Sequence, residues 1–539
     1  MKRKLIMSLT AVVTAAMLFG CSATVQNSEA PEKDAEASET EEEAPGEVSE
    51  SDSDEEASGE TEAGEALEEE KSEGIEYNKS TIIYDTDSKY FSGSTEIISI
   101  TDNGHEKLKE AVDKWFEKYK SDFEEKSEEY IKEAEDANKE IEADKTENND
   151  DGDYTAYYDI SNSVEVTRAD EAMFSMCVSE YTFMGGAHGG TYIYGVNFDT
   201  KTGDIIENTE FDKSADSVMN YILQSIEESS EETKDSFYPE YEDTIKGIFK
   251  NGMKDGAFWF DGRGMTYAFQ QYDIAPYAAG IMMFDIPYKD MEDFPEEYVT
   301  DGSFYSVNIN NDGMIEKIEI DGKEEKVYLE TKTDEDNYYS TFDLHIGDKD
   351  IKFDEEGYYY CQPTFVHSSV GDYFMLVCMA DNDFNRIFLY DGSGDFEHID
   401  DIDGGISQVK DGIVIVSQRH DAFGTWQVYK EYTYGSKGLK TDEKIDMIDN
   451  DPSTKASAVG ITLLKPLEYS EKSGDYSDTK ELKKGSVIYP VSDSGSELGF
   501  VTEDGDKGFF EYTYEPGEGG RMVDGVDEYS MFDGMPYAG

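Results

Sequence analysis

The sequence predicts an α+β domain, an antiparallel sheet with helices, followed by all-β modules. Three observations carry this. Apolar residues recur at helical spacing only between about residue 104 and residue 253. Runs of β-branched and aromatic residues flank those helices on both sides. From about residue 296 the chain breaks into short strands separated by Asp-Gly turns at Asp312–Gly313, Asp321–Gly322, Asp391–Gly392, Asp403–Gly404 and Asp411–Gly412. A chain of 539 residues exceeds one ordinary domain.

The N-terminus reads as a leader. Lys2, Arg3 and Lys4 precede the apolar run LIMSLTAVVTAAMLFG and then Cys21. That run is too short for a spanning helix and fits a signal peptide over 1–21. LFGC, Leu18 to Cys21, resembles the bacterial lipobox. The resemblance implies cleavage before Cys21 and lipidation of its thiol, hence an extracytoplasmic protein anchored to the cell membrane. Each buried acyl methylene then adds roughly 0.8 kcal/mol.

Residues 22–74 carry 21 acidic and two basic residues, with little that is apolar. Such a segment has nothing to offset the entropy of ordering and is expected as a disordered acidic tether. The whole chain has a formal net charge of −78. A polyanion excludes nucleic acid as a partner and attracts basic partners and divalent cations.

Folded sequence is expected from Ile75. STIIYDT and TEIISI read as strands, and the stretch from Gly104 to about Ala143 as one long helix. Its inward face holds Leu108, Val112, Trp115, Phe116, Tyr119 and Phe123; past Tyr130 it is nearly all charged and is expected to be solvated or frayed. Further strands follow over 154–184 and 191–206. Two helices and a closing strand, in GMTYAFQQYDIAPYAAGIMMFDIPY, complete a domain of residues 75–295. Residues 296–457 are expected as blade-like or sandwich β-units, 458–515 as a small barrel resembling bacterial SH3-like modules, and 516–539 as a tail.

YTFMGGAHGGTYIYG, Tyr181 to Gly195, asks whether His188 does chemistry. Gly185, Gly186, Gly189 and Gly190 can all take positive φ, which makes a wide hairpin loop with His188 near its tip. Cys177, His188 and Asp199 are spaced by eleven and eleven. In such a hairpin, however, Cys177 lies opposite about Phe198, roughly 30 Å from the tip at 3.3 Å per residue. No nucleophile–base contact forms at that range, so no catalytic residue is assigned. The loop is read as a hairpin that packs closely, with binding as its functional reading.

No metal ligands or cofactor are expected. The six histidines form no His-x-x-x-His pair and there is no Cys-x-x-Cys. Asn308, Asn310, Asp312, Gly313 and Glu319 follow a calcium-loop rhythm, but strand-like flanks favour a plain hairpin. Cys177, Cys361 and Cys378 are too few for a disulfide framework; they read as buried thiols, with Cys361–Cys378 the one pairing to weigh.

GGAHGG, NFDTKTGDII and IAPYAAGIMMFDIPY together resemble the extracytoplasmic domain pair of RsiV-type anti-sigma factors and PdaC-type peptidoglycan deacetylases, over residues 75–295. The resemblance implies Gram-positive surface proteins; in RsiV-like relatives this region binds lysozyme, a basic protein. It implies binding positions at Gly185, Gly186, His188, Gly189, Gly190, Pro276, Tyr277 and Gly280. This chain departs from both patterns. It lacks the spanning helix and sigma-binding segment of the first, and the catalytic domain with an Asp and paired His of the second. The expected function is binding of a cell-wall glycan or a cationic protein such as lysozyme; the alternative is a peptidoglycan-modifying enzyme or its accessory subunit.

Overall fold

The computed structural model describes residues 6–8, 75–84, 86–148, 155–300, 302–309, 314–333, 340–353, 358–380, 385–393, 395–448, 450–452, 458–515 and 520–537. Cys21 and the 22–74 stretch lie outside the described residues, as do Asn310, Asp312 and Gly313. Among the described residues no helix is long and apolar enough to cross a membrane.

The first sheet runs β1 (Ile6–Ser8), β2 (Tyr77–Ile83), β3 (Phe91–Ile100), β4 (Tyr158–Ala169), β5 (Met173–Met184), β6 (Gly190–Asp199), in that order. It is mixed and not purely antiparallel: β3 and β4 are parallel, because α1 (Glu106–Asn148) crosses over between them. The inward face of α1 is as the periodicity predicts. Leu108, Val112 and Phe116 are buried against Ile82, Ile98 and Val164, and Phe123 against Tyr84, Phe91 and Ile160, each contributing about 1.5–3 kcal/mol.

The far half of α1 departs from expectation. It is helical to Asn148, and Ala134 and Asn138 are buried. Asn138 donates through Nδ2 to the carbonyls of Ala134 (2.8 Å) and Ala156 (2.6 Å) and accepts from the Ala156 amide (3.0 Å). A single polar anchor and the ring contact of Tyr130 with Tyr158 seat a stretch that composition alone marks as solvated.

The second unit packs α2 (Ala215–Glu228), α3 (Glu231–Asp235) and α4 (Tyr241–Ile248) on the antiparallel sheet β7 (Ala257–Phe260), β8 (Gly264–Phe269), β9 (Met282–Pro287). The expected closing strand is therefore two strands, β8 and β9, with a loop at 270–281 between them. Strand β7 lies across the first sheet. Ser175 Oγ accepts from the Phe260 amide (2.9 Å), Thr167 Oγ1 donates to the Phe260 carbonyl (2.7 Å), and Cys177 and Ile193 pack with Trp259 and Ala268. Arg168, 5% exposed, ties the other end. Its guanidinium donates to Asp170 (2.7 Å), the Tyr288 hydroxyl (2.7 Å) and the Tyr298 carbonyl (2.6 Å).

Residues 304–433 form three stacked sheets. A four-stranded meander holds β11 (Glu316–Ile320), β12 (Lys323–Thr333), β13 (Ser340–Ile346) and β14 (Lys349–Phe353). The five-stranded sheet joins β10 (Tyr305–Asn308) to β15 (Tyr358–Ser368), β16 (Gly371–Ala380), β17 (Asn385–Asp391) and β18 (His398–Asp403). A third layer has β19 (Gly405–Lys410), β20 (Ile413–Asp421) and β21 (Thr425–Thr433). The middle sheet is covered on both faces, by Leu329 and Leu344 on one side and Val414 and Val416 on the other. That explains why YFMLVCM in β16 is apolar without alternation. The expected 308–319 hairpin does not form: β10 pairs with β15 and β11 with β12, so Asn308 and Glu319 stand in different sheets. Asn308 Oδ1 instead accepts from Thr364 Oγ1 (2.8 Å).

The last module is a sheet in the order Lys507–Glu511, Glu497–Thr502, Val487–Asp493, Ile461–Leu463, Phe532–Asp533. Among the described residues this order is open, with Ser470 and Phe509 exchanging backbone bonds to the neighbouring hairpin (2.9 and 2.8 Å). The stretch beyond 516 is no tail in its described part: Val523, Met531 and Phe532 enter the core. Phe423, at the β20–β21 turn, packs edge-on against Phe510, Tyr512 and Phe532. The boundary at 457 therefore divides the chain but not the core.

Where the second unit meets the β-region, Arg263 approaches Glu316 (3.7 Å) and donates to the Lys317 carbonyl. Beside it Asp261 Oδ1 accepts from the amides of Arg263 and Gly264 (both 2.7 Å). Desolvation, then the Asp285 carboxylate, push the Asp261 carboxyl up to about 6. A raised carboxyl binds its proton more tightly folded than unfolded, so stability from this group falls as pH rises from about 4 to about 6. Asp261→Asn keeps an Oδ1 acceptor and does not titrate. Its unfolding free energy relative to wild type is expected to rise across that window, by on the order of 3 kcal/mol, and to be flat above it. Urea titrations at several pH values measure this.

Candidate binding site at the glycine loop

The β5–β6 hairpin closes at Thr182↔Gly190, which puts His188 at the tip as expected. The glycines do different things. Only Gly185 has positive φ, at 73°. A Cβ on Gly189 would stand 2.4 Å from the Tyr181 ring, whereas Gly186 and Gly190 have room. Thus one glycine serves the turn and another the close approach of an aromatic ring, which corrects the expectation of four left-handed positions.

The closely packed neighbour is the 270–281 loop, about ninety residues on. Pro276, extended at φ −68°, starts a 3-10 turn Tyr277–Ala279 that Gly280 ends at φ 74°. This turn stacks the Tyr277 ring on His188, centroids 3.8 Å apart and planes 24° apart. The Tyr277 hydroxyl donates to the Gly189 carbonyl (3.0 Å), and the same oxygen lies 3.0 Å from His188 Nδ1. Two glutamines clamp the loop to β6. Gln271 Oε1 accepts from the Thr191 amide (3.1 Å), and Gln270 pairs both ways with Ile193 (3.0 and 2.6 Å). Tyr272 stands beside Tyr277 (5.8 Å), 55% exposed and with φ at 72°. A tyrosine in that region carries strain of about 1–2 kcal/mol. The Gln clamp holds it there, and sequence reading gave no sign of it.

The result is an aromatic shelf of His188, Tyr277 and Tyr272, with Tyr181 beneath Gly189. Desolvation, helped by the Asp159 carboxylate, raises the Tyr181 pKa. Tyr192, also 55% exposed, alternates onto the opposite face of β6 with Tyr194. The sequence-derived positions Gly185, Gly186, His188, Gly189, Gly190, Pro276, Tyr277 and Gly280 therefore gather at one place, although they come from two domains.

Residues 84–191 match the family model described as "Deacetylase PdaC", and residues 204–289 match that described as "Protein of unknown function (DUF3298)". The chain carries a PdaC-type domain followed by a DUF3298 domain. His188 and its loop belong to the PdaC-type match, and Tyr277 and its turn to the DUF3298 match. Two solved structures are similar. One is a member of the DUF3298 family from Bacteroides fragilis, with 20% identity, TM-score 0.32, covering 42% of this chain and 95% of that one. The other is a DUF3298 family protein from Pseudomonas aeruginosa PAO1, with 13% identity, TM-score 0.20, covering 41% and 93%. No curated protein sequence matches the chain. A PdaC-type domain goes with an extracytoplasmic, cell-wall-associated protein.

The site shows no machinery for bond-making among the described residues. Cys177 lies opposite Gly195, not near Phe198, which faces Phe174. Even so it is five rungs below Thr182, about 17 Å, and buried under Trp259. Asp199 pairs with Met173 at the far end. The PdaC-type match holds two histidines. His105 sits between Asp102 (2.9 Å) and Glu171 (3.4 Å), next to the β4–β5 turn. His188 is at the β5–β6 turn, the length of β5 away, about 37 Å. They form no paired-histidine metal set. Glu330, Asp343 and His345 do converge, outside both matches. There Lys332 reaches Glu330 (3.3 Å) and Asp343 (3.4 Å), and Asp350 holds His345 Nδ1 (2.7 Å), a cross-strand ion network on an exposed sheet face.

Proposed function

We propose that the PdaC–DUF3298 pair is a binding module for cell-wall glycan, held at the membrane through Cys21, and that the aromatic shelf is its contact surface. The observation that carries this is the His188–Tyr277 stack with Tyr272 exposed beside it. Flat rings with polar edges, fixed before a ligand arrives, suit the apolar faces and hydroxyl rims of sugars, and rigidity spares the ordering cost of binding.

The net charge of −78 favours a second occupant, a cationic protein such as lysozyme. The two separate by salt. Soluble peptidoglycan fragments and lysozyme are titrated against the full chain at about 0.05 M and about 0.5 M salt. Glycan contact through rings is expected to persist, and a charge-driven contact to collapse, as the screening length shortens. Tyr277→Ala is expected to weaken glycan binding about two- to tenfold, from the loss of about 0.5–1.5 kcal/mol of ring contact. Unchanged glycan affinity in Tyr277→Ala and His188→Ala overturns the shelf. Release of acetate or cut glycan by wild type, lost in His188→Ala, turns the reading to the peptidoglycan-modifying enzyme.

A further inference from the structure

The middle β-sheet contains a feature that glycan binding does not use. Cys361 on β15 and Cys378 on β16 are partners in register, directly opposite each other. Both are wholly buried, and their sulfurs lie 3.2 Å apart. Opposed residues in an antiparallel pair have Cα atoms about 4.5–5.5 Å apart, inside the roughly 4.4–6.8 Å that a disulfide spans. The sulfurs need to approach by only about 1.1 Å to reach bonding distance. Cys177 is in a different cluster, under Trp259, and has no such neighbour among the described residues.

We propose that Cys361 and Cys378 close to a cross-strand disulfide when the chain folds outside the cytoplasm, stapling the central sheet of the β-region. The inference rests on the extracytoplasmic setting and not on what the shelf binds. Oxidising compartments are where such pairs persist. The step is a thiol–disulfide exchange. One thiol loses its proton and attacks an external disulfide, a small molecule or a protein, expelling a thiolate. The second thiolate then attacks the protein sulfur of this mixed disulfide and expels the remaining external sulfur as a thiolate. Overall two thiols become one S–S bond, two protons leave, and two electrons reduce the oxidant to two thiols.

Burial sets the order of events. With both sulfurs covered by the stacked sheets, no oxidant reaches them in the folded state, so the bond forms before packing is complete. Once formed, it is equally shielded from reductants. The linkage joins positions 17 apart along the chain, long enough to restrict the unfolded state appreciably.

The test uses the full chain, unfolded, then refolded with a mixture of oxidised and reduced glutathione. It is then alkylated with iodoacetamide in denaturant and analysed by peptide mass mapping without reduction. With cleavage before aspartates, which separates the two cysteines at Asp372, expected is one linked pair of peptides containing Cys361 and Cys378, 2 Da below the sum of the free peptides, with Cys177 alkylated. Native protein should keep that link in dithiothreitol and lose it only when denaturant is added. The denaturation midpoint should fall on reduction in wild type and stay put in a Cys361→Ala/Cys378→Val variant. Full alkylation of both residues after oxidative refolding overturns the proposal, as does a link that involves Cys177. Neither result bears on glycan binding, which is measured separately.

Discussion

Gly195→Ala is expected to unseat the second domain from the first. A Cβ at Gly195 would lie 1.8 Å from the Phe258 carbonyl oxygen and 2.6 Å from its carbon. Both are backbone atoms of β7, so no side-chain rotation relieves the clash. The strand has to lift, and it carries the Phe260 bonds to Ser175 and Thr167 with it. The cost is about 3 kcal/mol or more, read as a fall in the urea midpoint. Gly190→Ala, five residues along the same strand, meets nothing within 4 Å and has no positive φ. It should leave stability within about 0.5 kcal/mol of wild type. Equal effects at the two positions would remove β7 docking from the account.

Arg168→Met is expected to be the other severe lesion. The side chain is 2% exposed, and its forked donors serve Asp170, a tyrosine hydroxyl and a backbone carbonyl at once. Methionine fills much of the volume but leaves the Tyr288 hydroxyl and the Tyr298 carbonyl without this donor. Breaking a buried charged network costs about 3–5 kcal/mol. The Asp170 carboxylate is 36% exposed and regains water, so about 2–4 kcal/mol is expected here. Arg168→Lys should recover little of it, because an ammonium cannot offer the same fork. Urea unfolding of both variants, with limited proteolysis between residues 288 and 300 as a local readout, checks this. Wild-type stability in the methionine variant would show the fork to be dispensable.

These two positions connect to the shelf. His188 and Tyr277 belong to different domains, and their stack rests on β7 docking together with the Gln270 and Gln271 clamp to β6. Gly195→Ala should therefore weaken ligand binding as well as stability, although Gly195 is not part of the shelf.

Much of the architecture is legible in the residues, and the exceptions have particular causes. The first half of α1 is readable because Leu108, Val112 and Phe116 recur with the helical period. The second half is not, because its hold on the sheet is a few isolated contacts, Asn138 bonded to Ala156 and Tyr130 against Tyr158, with no repeating apolar period. The parallel pairing of β3 with β4 follows from a crossover helix, and no local pattern separates it from antiparallel pairing. The 308–319 segment looks like a hairpin because its turn residues are right. Pairing is decided instead by which strands have apolar faces to bury, and β10 and β11 serve opposite sheets of one sandwich. Beyond 516 the chain is polar enough to read as a tail, yet Phe532 fills a place in the core beside Phe423 and Phe510.

By itself the sequence determined the class of each segment: the acidic character, the α+β domain before the β-modules, the hairpin tip at His188 and the lack of spacing for a triad. Those are local properties, set by side-chain period, turn residues and charge over a few neighbours. Only the tertiary structure decided what the tip touches. Tyr277 comes from a loop about ninety residues away, and a ring stacked at 3.8 Å depends on the docking of whole sheets, which no short stretch of residues encodes.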